Sequence, residues 1–272
     1  MAITNFRPTI WHAALLENFH QSTFVIPTLN RDYEGDITNG GESVKITGFT
    51  SPTIKPYAGA IVTDALTDST QSLLINQKDY YAFQVDDIDR VQAAGSFEPV
   101  VRDSAAGLAD TAENYILAQM LANGTSAGTV AVTTPALAYA AVMAIRTAMV
   151  KAKVPTADRY LVVNPEAAGF LMGEASKLVP VDISGSDQTL RNGVIGRLLG
   201  FNAVIESPST AIASAGKPTF VGYHGRSVGF ADQLIKTRAI EMEAAFADQL
   251  SGLHVYGAKV LRATAVQHYV SL

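Results

Sequence analysis

Gly225-Arg226-Ser227-Val228-Gly229 is the segment whose residue types and spacing come nearest to chemistry. It matches the G-x-S-x-G nucleophile elbow, in which a tight glycine-flanked turn lifts a serine hydroxyl above a sheet. In that arrangement an acid and then a histidine follow in the chain. Asp232, Asp248, His254 and His268 are available, so the residue types for a serine hydrolase acting through Ser227 are present. The setting is not. Only about forty-five residues follow the serine, too few for the strand–helix units that normally carry its partners, and no HGGG-type oxyanion segment lies upstream. The pattern reads as an ordinary tight turn.

Metal and cofactor chemistry have still less to stand on. Asp86-Asp87-Ile88-Asp89 is dense in carboxylates but lacks the ligand spacing and turn glycine of a calcium loop. It reads as a solvated strand end leading into Arg90. None of the histidines, His12, His20, His224, His254 and His268, sits in H-E-x-x-H or a comparable zinc pattern. The glycine-rich run Gly193 to Gly200 has the wrong spacing for a phosphate loop and no lysine to reach a phosphate. It reads as a turn back onto a strand at Phe201. No catalytic, metal or cofactor-binding residue is assigned, and no cofactor is expected. With no cysteine in the chain, disulfides and thiolate sites are ruled out.

The elements that would have to position a site form an unusual series. Residues 8–21 have helical spacing, with Trp11, Leu15, Asn18 and Phe19 on it. Val25-Ile26-Pro27 ends that helix, and Leu29 to Gly35 reads as a polar strand or turn. From about Gly40 to Tyr81 the texture is β, with period-two alternation in Ser43 to Thr47 and in part of Gln71 to Asn76. Between them lie Pro52, Pro56, Gly59 and many hydroxyl residues, which predicts a long two-stranded excursion with a flexible tip. A lone two-stranded ribbon is marginal in water and must lie on something. Residues 97–123 are predicted helical, capped by Ser96, with a stripe at Val101, Ala105, Leu108, Ala112, Tyr115, Ile116 and Met120, and a left-handed stop at Asn123-Gly124. Such a helix is roughly 40 Å long, long for a domain of this size.

The remainder has α/β texture. Thr134-Pro135 opens a helix running to about Lys151, and Tyr160 to Val163 is a buried strand. Asn164-Pro165-Glu166 starts another helix with a cap, a first-turn proline and an acid at its positive end. Short strands follow at Phe201 to Glu206, Thr219 to Tyr223 and Arg238 to Ala244. Leu253 to Tyr269 is mostly strand-like, with Gly257 a possible bulge. The fold class is mixed α+β.

Composition points to covered surface. Apolar residues make up 48% of the 272 residues and charged residues only 17%, against roughly 25% in a typical soluble domain. A compact monomer of this mass exposes on the order of 11,000 Å². Interfaces depleted in charge would account for the shortfall, as would a neutral Gly- and Thr-rich monomer surface. The first residues lack the basic-then-apolar build of a signal peptide, and no apolar run is long enough to span a bilayer. The net charge of −5 argues against a sequence-reading DNA binder and leaves room only for weak, non-specific contact with double-stranded DNA.

Several segments together carry a resemblance. They are Phe6 to Trp11 with Leu15-Leu16, and Asn30-Arg31-Asp32-Tyr33-Glu34-Gly35 followed by Gly40 to Ile46. Further on come Tyr57, Leu74-Ile75-Asn76-Gln77-Lys78, Phe83 to Asp87, Leu190 to Gly196 with Gly200-Phe201, and Gly252 to Val260. In this order, over nearly the whole chain, they resemble tailed-bacteriophage major capsid proteins of the Hong Kong 97-type fold, in the branch resembling the coat protein of Salmonella phage P22. The resemblance implies an N-terminal arm at 1–35 and an extended loop at 36–82. It implies a peripheral domain at 83–133 with its spine helix at 97–123, an axial domain at 134–245, and a return strand of the peripheral domain at 246–272.

It also implies a subunit that self-assembles into pentamers and hexamers of an icosahedral shell around a double-stranded DNA genome, found in the virion and assembled in the host cytoplasm. No built-in scaffold of about a hundred residues is recognised at the N-terminus, which implies a separate scaffolding protein, besides a portal and an optional decoration protein. Arg31, Glu34, Glu42, Lys45, Lys55, Tyr57 and Lys78 are the expected inter-subunit contacts. Some members join a lysine to an asparagine covalently; Lys45, Lys55 and Lys78 lie in or near the loop, but no sequence feature marks one as reactive. Three rivals stand beside this reading: an encapsulin-type compartment shell, a serine hydrolase using Ser227, and a monomeric binding module.

Overall fold

The computed structural model describes residues 23–32, 43–49, 52–57, 59, 61, 63–65, 68–86, 98–173, 196–212, 216–241 and 247–272. The helix expected at 8–21, the Ser96 cap, Glu34, Glu42 and the first three residues of the Gly193–Gly200 run lie outside them. In chain order the elements are β1 (Ser43–Phe49), β2 (Asp68–Leu74), β3 (Gln77–Asp86), α1 (Glu98–Asn123), β4 (Thr125–Gly128), α2 (Pro135–Lys151) and β5 (Arg159–Val163). Then come α3 (Pro165–Leu171), β6 (Ala203–Glu206), β7 (Thr219–His224), β8 (Val228–Glu241), β9 (Ala247–Val260) and β10 (Val266–Val270). Two compact units divide them. Lys78–Thr111 and Leu234–His254 belong to the smaller, and Thr23–Gln77, Ala112–Gln233 and Val255–Leu272 to the larger.

The larger unit is built on a mixed five-stranded sheet, in the order β4-β10-β7-β5-β6. Near-continuous apolar runs such as Tyr160 to Val163 suit strands covered on both faces, and both faces are covered. On one side Leu161, Val163, Phe220 and Tyr269 meet Ala138, Ala141, Val142, Ile145 and Met149 of α2, with Ala167, Ala168 and Leu171 of α3. On the other, Val162, Val221, Tyr223 and Val266 meet Ala112, Ile116, Leu117 and Met120 of α1, along with Val25, Leu29, Phe230 and Tyr256. The residues alternate between the two cores because strand side chains point to opposite faces in turn.

Local signals act as expected at the helix starts. Thr134 caps α2 by accepting from the Leu137 amide, with Pro135 in the first turn. Asn164, fully buried, caps α3 by accepting from the Ala167 amide at 3.0 Å. Its Oδ1 also accepts from the Thr219 amide at 2.9 Å, and its Nδ2 donates to the Lys217 carbonyl at 2.7 Å. One side chain therefore ties a helix to the strand beside it.

Two expectations are corrected. The expected α1 stripe is buried at Ala112, Ile116 and Met120, but Ala105 is exposed. The helix does not stop on a left-handed residue: neither Asn123 nor Gly124 has a positive φ. Gly124 is needed for space, because a Cβ there would meet the Met120 carbonyl oxygen at 2.5 Å. The stretch 253–269 is two strands, β9 and β10, parted by a short 3-10 turn at Ala263–Ala265.

In the smaller unit the Tyr81 and Phe83 rings of β3 stack at 6.3 Å, as residues two apart on one strand face do. Gly252 of β9 lies under Tyr81, whose ring atoms would sit 2.4 Å from a Cβ there. Strands β3, β9 and β8 form a three-stranded sheet in that order.

Candidate assembly surface

β1 and β2 pair antiparallel in a register that sets Ser43 opposite Leu74 and Phe49 opposite Asp68. This is the two-stranded excursion expected from the alternation. Its root is fixed from within. Val44 and Leu73, a cross-strand pair, are buried on one face. The Gln71 side-chain amide donates to the Leu261 carbonyl at 3.3 Å, and the Lys259 ammonium donates to the Ser72 carbonyl at 2.8 Å. Gly257 lets β9 approach so closely that a Cβ would stand 2.1 Å from the Leu74 carbonyl oxygen. Gly257 is thus a contact glycine.

Beyond the root, residues 52–57 and 63–65 have no regular structure. Lys55 forms an ion pair with Asp64, and the Thr53 amide donates to the other Asp64 oxygen at 3.1 Å. The Lys55 ammonium, helped by the Thr53 amide, holds the Asp64 carboxyl below the usual carboxylate range. This clip closes the loop across nine residues of separation. It leaves three large apolar side chains in water: Ile54 at 98%, Ile61 at 84% and Tyr57 at 78% exposure. Removing one such side chain from water is worth about 1.5–3 kcal/mol. The clipped loop thus keeps three large apolar side chains at the surface.

The remaining expected contact residues are scattered. Arg31 pairs with Asp232 at 3.0 Å within the chain, an exposed bridge worth about 0–1 kcal/mol. Lys45 is exposed on β1 opposite Ser72, and Lys78 is exposed near the start of β3. Sequence reading named Tyr57 but missed Ile54 and Ile61. Their signal was two isoleucines in a segment with no strand alternation to turn them inward.

Nothing at Ser227 is arranged as an elbow. The residue is buried, and it sits in a 3-10 turn that joins strand to strand, β7 to β8. Its hydroxyl donates to the His224 carbonyl, and the His224 Nδ1 accepts from the Arg226 amide at 3.1 Å. Burial first, and then the charges of Arg159, Arg226 and Arg262, hold the His224 imidazole below its ordinary pKa despite the opposing pull of Asp158. Tyr223 is fully buried with its hydroxyl 2.6 Å from that of Thr28, and burial raises its pKa. The Tyr223–Thr28 contact secures residues 25–30 within the larger unit. Among the described residues no cluster of three metal-ligating side chains occurs, and no helix is long and apolar enough to cross a membrane.

Solved structures share this architecture. A protein of Mycobacterium phage Che8 is 36% identical, with a TM-score of 0.88 over 98% of this chain and 98% of that one. The mature capsid of bacteriophage PhiM1 matches at 14% identity and a TM-score of 0.78, over 98% and 92%. A virus-like particle from Pyrococcus furiosus matches at 10% identity and 0.57, over 84% and 86%. The last two likenesses concern fold alone, and the fold is the Hong Kong 97-type capsid fold. A family model described as phage capsid protein matches residues 75–269. The chain belongs to the phage capsid protein family. No curated protein matches it.

Proposed function

We propose that this chain is the major capsid protein of a tailed bacteriophage, self-assembling into pentamers and hexamers of an icosahedral shell around double-stranded DNA. The observation that carries the reading is the clipped loop with Ile54, Tyr57 and Ile61 in water, in a chain 36% identical over 98% of its length to a Mycobacterium phage protein. Each loop lies over a neighbouring copy, and many weak contacts add up because closure of the shell makes the later ones effectively intramolecular. In this reading residues 1–35 are the arm, 36–82 the loop, 83–133 the peripheral domain, 134–245 the axial domain and 246–272 the return strand. Arg31, Glu34, Glu42, Lys45, Lys55, Tyr57 and Lys78 contact neighbours. A scaffolding protein, a portal and, where present, a decoration protein are the partners, with DNA touched weakly by an acidic wall. The protein resides in the virion after assembly in the host cytoplasm.

Electron microscopy of the expressed chain, alone and with the genes that neighbour it, tests this. Closed shells, filled with DNA when the neighbouring genes are present, are the expected result. A chain that stays monomeric with a scaffold supplied rejects the reading, and shells filled with an enzyme in place of DNA favour the compartment.

A further inference from the structure

A cleft of about 750 Å³ opens in the larger unit beside the ribbon's root, within the range of about 300–1,000 Å³ that holds a ligand. Its lining combines two features. The first is charge. Arg226, Arg262 and Lys153 line it and are exposed, and among the described residues no carboxylate forms an ion pair with any of them. The two arginines grow from adjoining turns. The Leu261 and Arg262 amides both donate to the Ser227 carbonyl, at 2.8 and 3.3 Å, while the Arg226 amide is held by His224. Lys153 follows α2 at φ 56, a left-handed conformation that a glycine at this place adopts with less strain. Its amide donates to the Val150 carbonyl at 2.9 Å and the Val154 amide to that of Met149 at 3.0 Å. The strain is of order 1 kcal/mol, and it sets a lysine where glycine is the usual residue.

The second feature is a bare strand edge. Ile46, Thr47 and Gly48 of β1 line the same cleft. Among the described strands β1 pairs with β2 alone, so among the described residues its other row of amides and carbonyls has no strand partner and can take one. An open edge with cations nearby suits an extended peptide rich in carboxylates. It suits a phosphate backbone less well, because phosphates carry no amides to meet the carbonyls of the β1 edge.

We propose that the cleft receives an extended acidic segment of a second copy of this chain, whose backbone pairs along β1 at Ile46–Gly48 and whose carboxylates meet Arg226, Arg262 and Lys153. The densest carboxylate run in the sequence, Asp86-Asp87-Ile88-Asp89, is the segment that enters. The contact rests on the shell reading, since only an array of copies brings it to a high effective concentration.

A labelled peptide of residues 83–92, followed by fluorescence anisotropy against the purified full-length chain, measures the contact without any shell. Binding is expected to weaken by about tenfold or more with Arg226→Glu/Arg262→Glu, and likewise when the peptide's three aspartates are replaced by asparagine. It is also expected to weaken as salt rises from about 0.05 to 0.5 M. Equal binding to both proteins, or none to the wild type, overturns the proposal. So does a single-stranded oligonucleotide that binds more tightly than the peptide and is lost with the same arginine changes. In shells, the arginine reversal is expected to lower particle yield and Asp87→Arg/Asp89→Arg in the same chain to restore it; wild-type yield from the reversal alone overturns the proposal. Absence of shells from the wild-type chain with a scaffold supplied rejects the shell reading and leaves the peptide measurement standing.

Discussion

Gly257→Ala is the most demanding substitution this structure offers. An ideal Cβ on that residue stands 2.1 Å from the Leu74 carbonyl oxygen and 2.9 Å from the Ile75 Cα. Both obstacles are backbone, so no side chain can rotate away. Ordinary contact begins near 3.4 Å, and β9 or the ribbon root must retreat by about an ångström or more. That retreat draws on Leu73 and Ile75, both buried, and burial of each is worth about 1.5–3 kcal/mol. Overpacking alone costs about 1–3 kcal/mol. We expect a loss of about 3 kcal/mol or more, read as a fall of about 1 M or more in the urea midpoint of the unassembled chain at a slope of about 3 kcal/mol/M. Gly107→Ala is the matched control. A Cβ there meets nothing within 4 Å, and alanine replaces glycine inside α1, so stability rises by about 0.5–1 kcal/mol. A midpoint for Gly257→Ala equal to wild type refutes the reasoning about the root.

Ile54→Ser/Ile61→Ser leaves the unassembled chain within about 0.5 kcal/mol of wild type, because both side chains are already in water, yet sharply lowers shell yield by sedimentation. Asn164→Asp costs about 2–4 kcal/mol in urea unfolding: it keeps the cap to Ala167 but sets an oxygen against the Lys217 carbonyl, where the amide nitrogen now donates. His224 and His268 are both held below the ordinary value of 6.5, first by burial. Unfolding raises their affinity for protons, so stability falls as the pH drops below about 6.5 and the loss levels off beneath the folded-state values. Urea midpoints measured from about pH 7.5 to 5.5 should show this slope, and His268→Gln should flatten part of it.

What could be read from the sequence was local. The Thr134 and Asn164 caps, each with a proline next, identify α2 and α3 within a residue, and period-two alternation identifies β1. The long helix appears at 98–123 against 97–123 expected. The elements that escaped depend on distant partners. β4 is built from small polar residues with no pattern of its own, and it exists because β10 lies alongside, His268 opposite Ser126. β8 starts ten residues before the Arg238 run that marked it, since Gly229 and Asp232 break the apolar signal. Glu113 is not on the expected apolar stripe, yet it is buried, accepting from the Val25 amide at 3.5 Å and the Ser207 hydroxyl at 3.3 Å. Of the assembly surface, Tyr57 was named only through the resemblance, while the paired strands of the loop were legible from alternation. The Lys55–Asp64 clip and the two bare isoleucines were not, because a Pro- and Thr-rich stretch carries no periodicity to say which side chains find cover.

The order of strands in the five-stranded sheet has a consequence for how a nascent chain must behave. β10 sits between β4 and β7, though it is made about 140 residues after the first and about 40 after the second. Until it emerges from the ribosome, both neighbours wait with ladder groups unmet, and the half-built sheet is sticky toward other half-built copies. Losing Val266–Val270 would therefore do more than weaken the fold: it would leave β4 without its partner and β7 with an open edge.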